Sequence, residues 1–163
     1  MSETAHTRRL RITGLHHLTL LCADVNRSAS FYRDLLGMQL VERSHNPDDP
    51  NAEHLLFGPG ATTGGTMVTC MAYPDLEEGF VGRGSTHHFA LGVESDDELS
   101  AWRDYLRSRG VDVTDVYDRG TFKSIYLRDP DGHLVEIATQ YTPQRSENDE
   151  GRPPEGPASS NAP

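Results

Sequence analysis

The strongest constraint on this chain is that it repeats itself. Leu15-His16-His17-Leu18-Thr19-Leu20 returns as Thr86-His87-His88-Phe89-Ala90-Leu91, so His88 stands 71 positions after His17. Phe31 and Trp102, each in a helix-like stretch, keep that offset. Gly65-Thr66-Met67-Val68-Thr69 returns as Gly132-His133-Leu134-Val135-Glu136, 67 positions on, with the four-residue slip absorbed by loop length. Self-similarity at a fixed period means that each copy is one supersecondary unit, and it must be settled before any site is argued.

Each copy reads strand, helix, three strands. Copy one predicts strands near 14–22, 38–44, 53–58 and 66–72 and a helix near 25–36, with Asp24 as N-cap and Gly37 just past the helix end. Copy two predicts strands near 86–93, 112–117, 122–128 and 133–140 and a helix near 96–109. There Ser95 and Glu98 make a capping-box pattern, Leu99, Trp102 and Leu106 form the apolar stripe, and Gly110 ends the helix. The expected fold is α+β: two tandem βαβββ modules, about 12–73 and 86–141 with a linker at 74–85, whose mixed sheets pair around a shared cleft with the helices outside. Together they make a single domain over 12–141, a size suited to one core.

The formal charge of −10 and a pI near 5.1 argue against a nucleic-acid partner, which would need a basic face. No apolar run approaches the length of a membrane span. Residues 1–11 are polar and basic, lack the apolar core of a secretory signal and read as a flexible N-terminus. Residues 142–163, rich in Pro, Ser, Glu and Asn, read as a disordered tail. Cys22 and Cys70 both sit in apolar strand-like runs, which points to buried free thiols and a cytoplasmic location, with a disulfide as the minority reading.

The stretch Ser124–Thr139 reads as strand, tight turn, strand. Asp129-Pro130-Asp131-Gly132 is the turn, and Ile125–Arg128 and Leu134–Thr139 are its β-rich flanks. One acid, Glu136, stands inside the apolar second strand. Burying a carboxylate between Val135 and Ile137 is costly unless a cation or strong donors meet it. Strand period 2 separates the candidates. His88, Ala90 and Gly92 share the small face of their strand, His17, Thr19 and Leu21 share a face of theirs, and Glu136 lies with Leu134 and Ala138. His17, His88 and Glu136 are therefore expected to converge on one cleft and to hold a metal.

Two neutral imidazoles and one carboxylate, with positions left open, suit non-haem Fe(II), with Mn(II) or another divalent ion as the alternative. Thr69 occupies the position equivalent to Glu136 in copy one, which favours three protein ligands over four. The same alternation aims His16 and His87 away from the cleft. His133, on the turn side of the last strand, reads as structural, and His6, His45 and His54 carry no signal of their own.

At these residues the chain resembles the vicinal oxygen chelate superfamily of glyoxalases, bleomycin-resistance proteins and extradiol dioxygenases, over about residues 12–141. The motif Ile125-Tyr126-x-x-Asp129-Pro130-x-Gly132-x-x-x-Glu136 is similar to the C-terminal half of the extradiol dioxygenase signature. The upstream half departs from it, since Tyr117-Asp118-Arg119 stands where a His is expected. His16-His17-x-Thr19, His87-His88, Arg119, Tyr126 and Glu136, with Asn46-Pro47-Asp48-Asp49-Pro50 and His54–Gly58, resemble the ring-cleaving hydroquinone dioxygenase branch instead.

That resemblance implies His17, His88 and Glu136 as metal ligands. It implies Tyr126 and Arg119 as the groups that meet the ionised substrate, and His16, His87 and Thr19 as further catalytic-site groups around the ligands. The implied function is an Fe(II)-dependent ring-cleaving dioxygenase of aromatic catabolism, acting on a small dihydroxyaromatic and O₂, in a chain that forms a homodimer. A divalent-metal lyase or isomerase of the glyoxalase type, and a small-molecule-binding resistance protein, are the alternatives.

Overall fold

The structure, a computed structural model, describes residues 12–59 and 66–143. The expected flexible N-terminus, and the expected tail beyond 143, lie outside the described residues. By contact the chain forms two compact units. The first runs to Ser85 and includes Arg128–His133. Among the described residues the second comprises Thr86–Leu127 and 134–143.

The first unit contains β1 (His17–Cys22), α1 (Val25–Ala29), a π-helical segment (Ser30–Leu35), β2 (Gln39–Asn46), β3 (Asp49–Gly58) and β4 (Met67–Ala72). Its sheet has the order β1-β4-β3-β2. β1 and β4 are parallel, and β3 is antiparallel to both β4 and β2. The parallel pair needs a crossover, and the helical segment after β1 begins it. Asp24 caps that segment as expected, accepting from the backbone N–H groups of Asn26 and Arg27. The helix then widens into a π turn. The adjacent residues Phe31 and Tyr32 are both buried, a placement for which the extra residue in the turn makes room. Leu55, Phe57, Val68 and Cys70 complete this core.

The second unit contains β5 (Phe89–Val93), α2 (Asp96–Ser108), β6 (Tyr117–Asp118), β7 (Lys123–Arg128) and β8 (Leu134–Thr139). Its sheet order, β5-β8-β7-β6, repeats that of the first unit, again with the first and last strands parallel. The duplication extends to register. Thr19 lies beside Thr69 in one unit and Ala90 beside Glu136 in the other, the positions related by the offsets of 71 and 67. The Ser95 hydroxyl accepts from Glu98 N–H, while the Glu98 carboxylate accepts from the Glu94 rather than the Ser95 N–H. Gly37 and Gly110, at φ 72° and 74°, take the left-handed conformation that ends each helical segment, which a side chain would strain. Leu99, Leu106, Ile125, Val135 and Ile137 form the core of this unit.

Several elements differ in extent from expectation: the strands expected from 14 and 86 begin at His17 and Phe89, and the helix near 25–36 is α-helical only over Val25–Ala29. The strand near 112–117 reduces to an isolated bridge at Val113 and the two-residue β6: Thr114 N–H still donates to the Tyr126 carbonyl, but Tyr126 N–H turns to the Thr114 hydroxyl, and Asp115 and Val116 leave the ladder. The strand near 53–58 begins earlier, at Asp49, since Pro47-Asp48 forms a tight hairpin turn between β2 and β3. Cys22 and Cys70 are both buried and free.

The Asp129-Pro130-Asp131-Gly132 turn is organised by one carboxylate. Asp129 Oδ1 accepts from the N–H groups of Asp131 and His133, and Oδ2 accepts from the Tyr32 hydroxyl at 2.7 Å and meets His133 Nδ1 at 3.0 Å. Burial alone would raise the Asp129 carboxyl, but the His133 and Tyr32 hydrogen bonds outweigh it and hold the group below the usual range. The hydrogen bond to Asp129 raises the His133 imidazole against a smaller opposing effect of burial. His133 is therefore structural, as the sequence suggested.

Tyr32→Phe removes a buried donor from a charged acceptor and is expected to cost about 1–3 kcal/mol in urea unfolding. The pair also shapes the pH dependence. The Asp129 contribution is full above the ordinary carboxylate value of 3.8 and is lost as pH falls through its lowered pKa. The His133 contribution is full below 6.5 and is lost as pH rises through its raised pKa. Urea midpoints measured from pH 3 to 9 should fall on both sides, and His133→Asn should remove the alkaline slope attributable to this pair.

Candidate metal centre

Two histidine pairs open the two units, and they have the same geometry. His16 Nδ1 lies 2.9 Å from His17 Nδ1, and His87 Nδ1 lies 2.8 Å from His88 Nδ1. Ring centroids are 5.2 and 5.1 Å apart, with both pairs edge-on at 83°. Alternation had aimed His16 and His87 at the opposite face. Neither residue belongs to a strand, since β1 starts at His17 and β5 at Phe89, so alternation does not fix their side chains. Outside the ladder the backbone is free to turn each ring onto its neighbour. In each Nδ1–Nδ1 contact one ring donates and the other accepts. Nε2 of His17 and of His88 is then the nitrogen left for other partners.

In the second unit that partner is Glu136. The carboxylate is 3% exposed, and its Oε2 lies 3.0 Å from His88 Nε2. The Tyr126 hydroxyl donates to Oε1 at 2.6 Å. These contacts answer the cost of burying a carboxylate inside β8. Strand register brings the two close: β5 and β8 are parallel neighbours, Ala90 lies beside Glu136, and His88 stands just ahead of β5.

Tyr126 lies on β7, which follows β8 in the sheet order. Its ring stands edge-on to His88, with centroids 5.9 Å apart. The Arg119 guanidinium donates to the Tyr126 hydroxyl at 3.3 Å, so a chain of polar contacts runs Arg119–Tyr126–Glu136–His88. The hydrogen bond to Tyr126 raises Arg119 further above its ordinary value. Tyr117, which the sequence marks only as a departure from the dioxygenase motif, packs against both Arg119 and Tyr126. Its place opposite Ser124 in the β6–β7 pairing is set by the fold.

The first unit holds His17, His16 and Thr19. The Thr69 hydroxyl donates to the Thr19 hydroxyl at 2.8 Å. Thr69, equivalent to Glu136, is also buried, but as a neutral hydroxyl that needs no cation. Among the described residues no group of three or more His, Cys, Asp or Glu side chains able to hold one ion is found. The structure brings His88 and Glu136 together, with Tyr126, Arg119 and His87 around them, and His17 and Thr19 belong to the other unit.

The donor set of the second unit fits a divalent cation. A buried carboxylate faces an imidazole Nε2, no Lys or Arg forms an ion pair with that carboxylate among the described residues, and the far ring nitrogen is hydrogen-bonded. Tyr126→Phe should leave Glu136 Oε1 without its donor. The expected cost in the metal-free protein is about 1–3 kcal/mol by urea unfolding, and an unchanged midpoint would show that another donor takes over.

Comparison with known proteins identifies the family. The Glyoxalase/Bleomycin resistance protein/Dioxygenase superfamily matches over residues 14–137. A Bacillus subtilis (strain 168) protein named "Putative ring-cleaving dioxygenase MhqA" is 27% identical over 126 residues, covering 77% of this chain and 40% of that protein. A second from the same strain, of the same name but MhqE, is 32% identical over 104 residues, covering 64% of this chain and 34% of that protein. This chain thus spans well under half the length of both. The Metallothiol transferase FosB of Staphylococcus saprophyticus is 29% identical over 133 residues, 78% of each chain. Among solved structures, a "putative dioxygenase" from Bacillus subtilis superposes with a TM-score of 0.69 at 27% identity, covering 78% of this chain and 41% of that one. The repeated βαβββ unit, the duplicated histidine pairs and the match over residues 14–137 make this chain a member of the glyoxalase/bleomycin resistance/dioxygenase superfamily.

Proposed function

We propose that this protein is a ring-cleaving dioxygenase dependent on Fe(II) or Mn(II), acting on a small dihydroxyaromatic compound. The observation that carries the reading is the buried Glu136 carboxylate facing His88 Nε2, with the Tyr126 hydroxyl and Arg119 lined up behind it. The ring-cleaving names of the MhqA and MhqE relatives point the same way.

In this reading His17, His88 and Glu136 hold the metal. A bound ion of this kind would supply Lewis-acidic, redox-active chemistry that lowers the pKa of a phenol and activates O₂. The protein's own groups do the rest. His87 and His16 exchange donor and acceptor roles with His88 and His17 across the Nδ1 contacts, so each Nε2 is free to ligate without a change of charge. Tyr126 offers its hydroxyl as a hydrogen-bond donor or proton source at the reacting oxygen, and Arg119 stabilises negative charge developing there. One C–C bond of the ring breaks and both atoms of O₂ enter the product, so no external reductant is consumed.

The FosB relative supports a second reading, since it covers 78% of both chains: a divalent-metal transferase or lyase that uses no O₂. Oxygen uptake separates the two. After anaerobic loading with Fe(II), hydroquinone, substituted hydroquinones and catechols are added in turn with O₂. Substrate-dependent uptake with a ring-opened chromophore is expected, and His17→Ala and Glu136→Gln should each lower metal content and turnover together, by about 100-fold or more. Metal content and turnover unchanged in Glu136→Gln would overturn the ligand set. Turnover without O₂ would establish the transferase or lyase reading instead.

A further inference from the structure

We infer that Tyr117 is a positioning residue that holds the Arg119 guanidinium against the Tyr126 hydroxyl. Its consequence for turnover rests on the dioxygenase reading, whereas the clamp itself does not.

Arg119 has every reason to be mobile. It is exposed, it follows the two-residue β6, and it enters a tight turn in which its own N–H donates to the Phe122 carbonyl at 2.9 Å and Gly120 N–H donates to the Asp118 carboxylate. A long side chain in such a place loses much rotamer freedom if it is held. The usual holder is a carboxylate, yet none of the ion pairs among the described residues includes Arg119. Its one side-chain hydrogen bond, to the Tyr126 hydroxyl, is long at 3.3 Å.

What remains is aromatic. The guanidinium lies 5.0 Å from the Tyr117 ring centroid and 5.8 Å from that of Tyr126, and the two rings meet at 63° with centroids 5.9 Å apart. Tyr117 is the nearer platform. Stacking on a ring face fixes the guanidinium plane without neutralising its charge, which a carboxylate would do. The charge stays available for an anionic oxygen beside Tyr126.

Tyr117 itself has little else to do. It is 47% exposed and its hydroxyl makes no hydrogen bond among the described residues. Its position is fixed by the β6–β7 ladder, where it lies opposite Ser124, two residues from Tyr126. The ring face is therefore the functional part, and Phe should replace Tyr here.

The test compares Tyr117→Leu and Tyr117→Phe by NMR of the diamagnetic, metal-free protein, following the Arg119 side-chain resonances assigned with Arg119→Lys. Ring-current shifts of the Arg119 Cδ protons should collapse in Tyr117→Leu and persist in Tyr117→Phe. Unchanged shifts in Tyr117→Leu overturn the clamp. In the Fe(II)-loaded enzyme, Tyr117→Leu should lower kcat about tenfold with KM within about twofold, and Tyr117→Phe should restore it. Full turnover in a Tyr117→Leu variant whose Arg119 shifts have collapsed would overturn the positioning role. If the unaltered protein consumes no O₂ with any substrate, the dioxygenase reading falls, and the NMR comparison alone still decides whether Tyr117 holds Arg119.

Discussion

The parallel pairing of first and last strands is the constraint on which each unit depends. Neighbouring parallel strands cannot be joined by a tight turn, so a helical segment must carry the chain away, and two further strands return it to the sheet. The same pairing sets residues side by side on one face in strict register. In the second unit it puts Ala90 beside Glu136, and so brings the histidine just ahead of β5 to the carboxylate of β8. In the first unit the same register yields only the hydroxyl pair Thr19–Thr69. One duplicated scaffold thus presents a charged site in one copy and a neutral one in the other.

Polar burial is handled differently at the two buried acids of the β7–β8 hairpin. Asp129 is satisfied completely from its surroundings, by two backbone N–H groups, the Tyr32 hydroxyl and His133, and works as a structural node of the turn. Glu136 is met by a single hydroxyl and one imidazole nitrogen that is itself a good metal ligand. The contrast is chemical. A carboxylate saturated by fixed donors has nothing left for a cation, while one facing an imidazole Nε2 can exchange that contact for a shared ion.

Much of this could be read in the chain. The order of elements, the helix caps at Asp24 and Ser95, the two glycine stops and the hairpin around Asp129 all follow local rules, and they appear where local rules place them. Glu136 was conspicuous because an acid in an apolar strand demands a partner. Two things needed the fold. His16 and His87 were assigned faces by alternation, although they lie outside the strands and turn onto their neighbours. Tyr117 was seen only as a departure from a motif, because its value comes from stacking on Arg119 and Tyr126 rather than from its own chemistry.

The sequence by itself determined the repeat, the fold class and the residue types able to bind a cation, because periodicity, turn chemistry and donor identity are carried by short stretches. Only the tertiary structure decided which donors meet: that Tyr126 donates to Glu136, that His88 offers Nε2 while His87 occupies Nδ1, and that Arg119, with no carboxylate partner among the described residues, lies over the Tyr117 ring and beside Tyr126. Those contacts depend on strand register and on ångström-scale ring placement across residues far apart in the chain, and no local pattern encodes them.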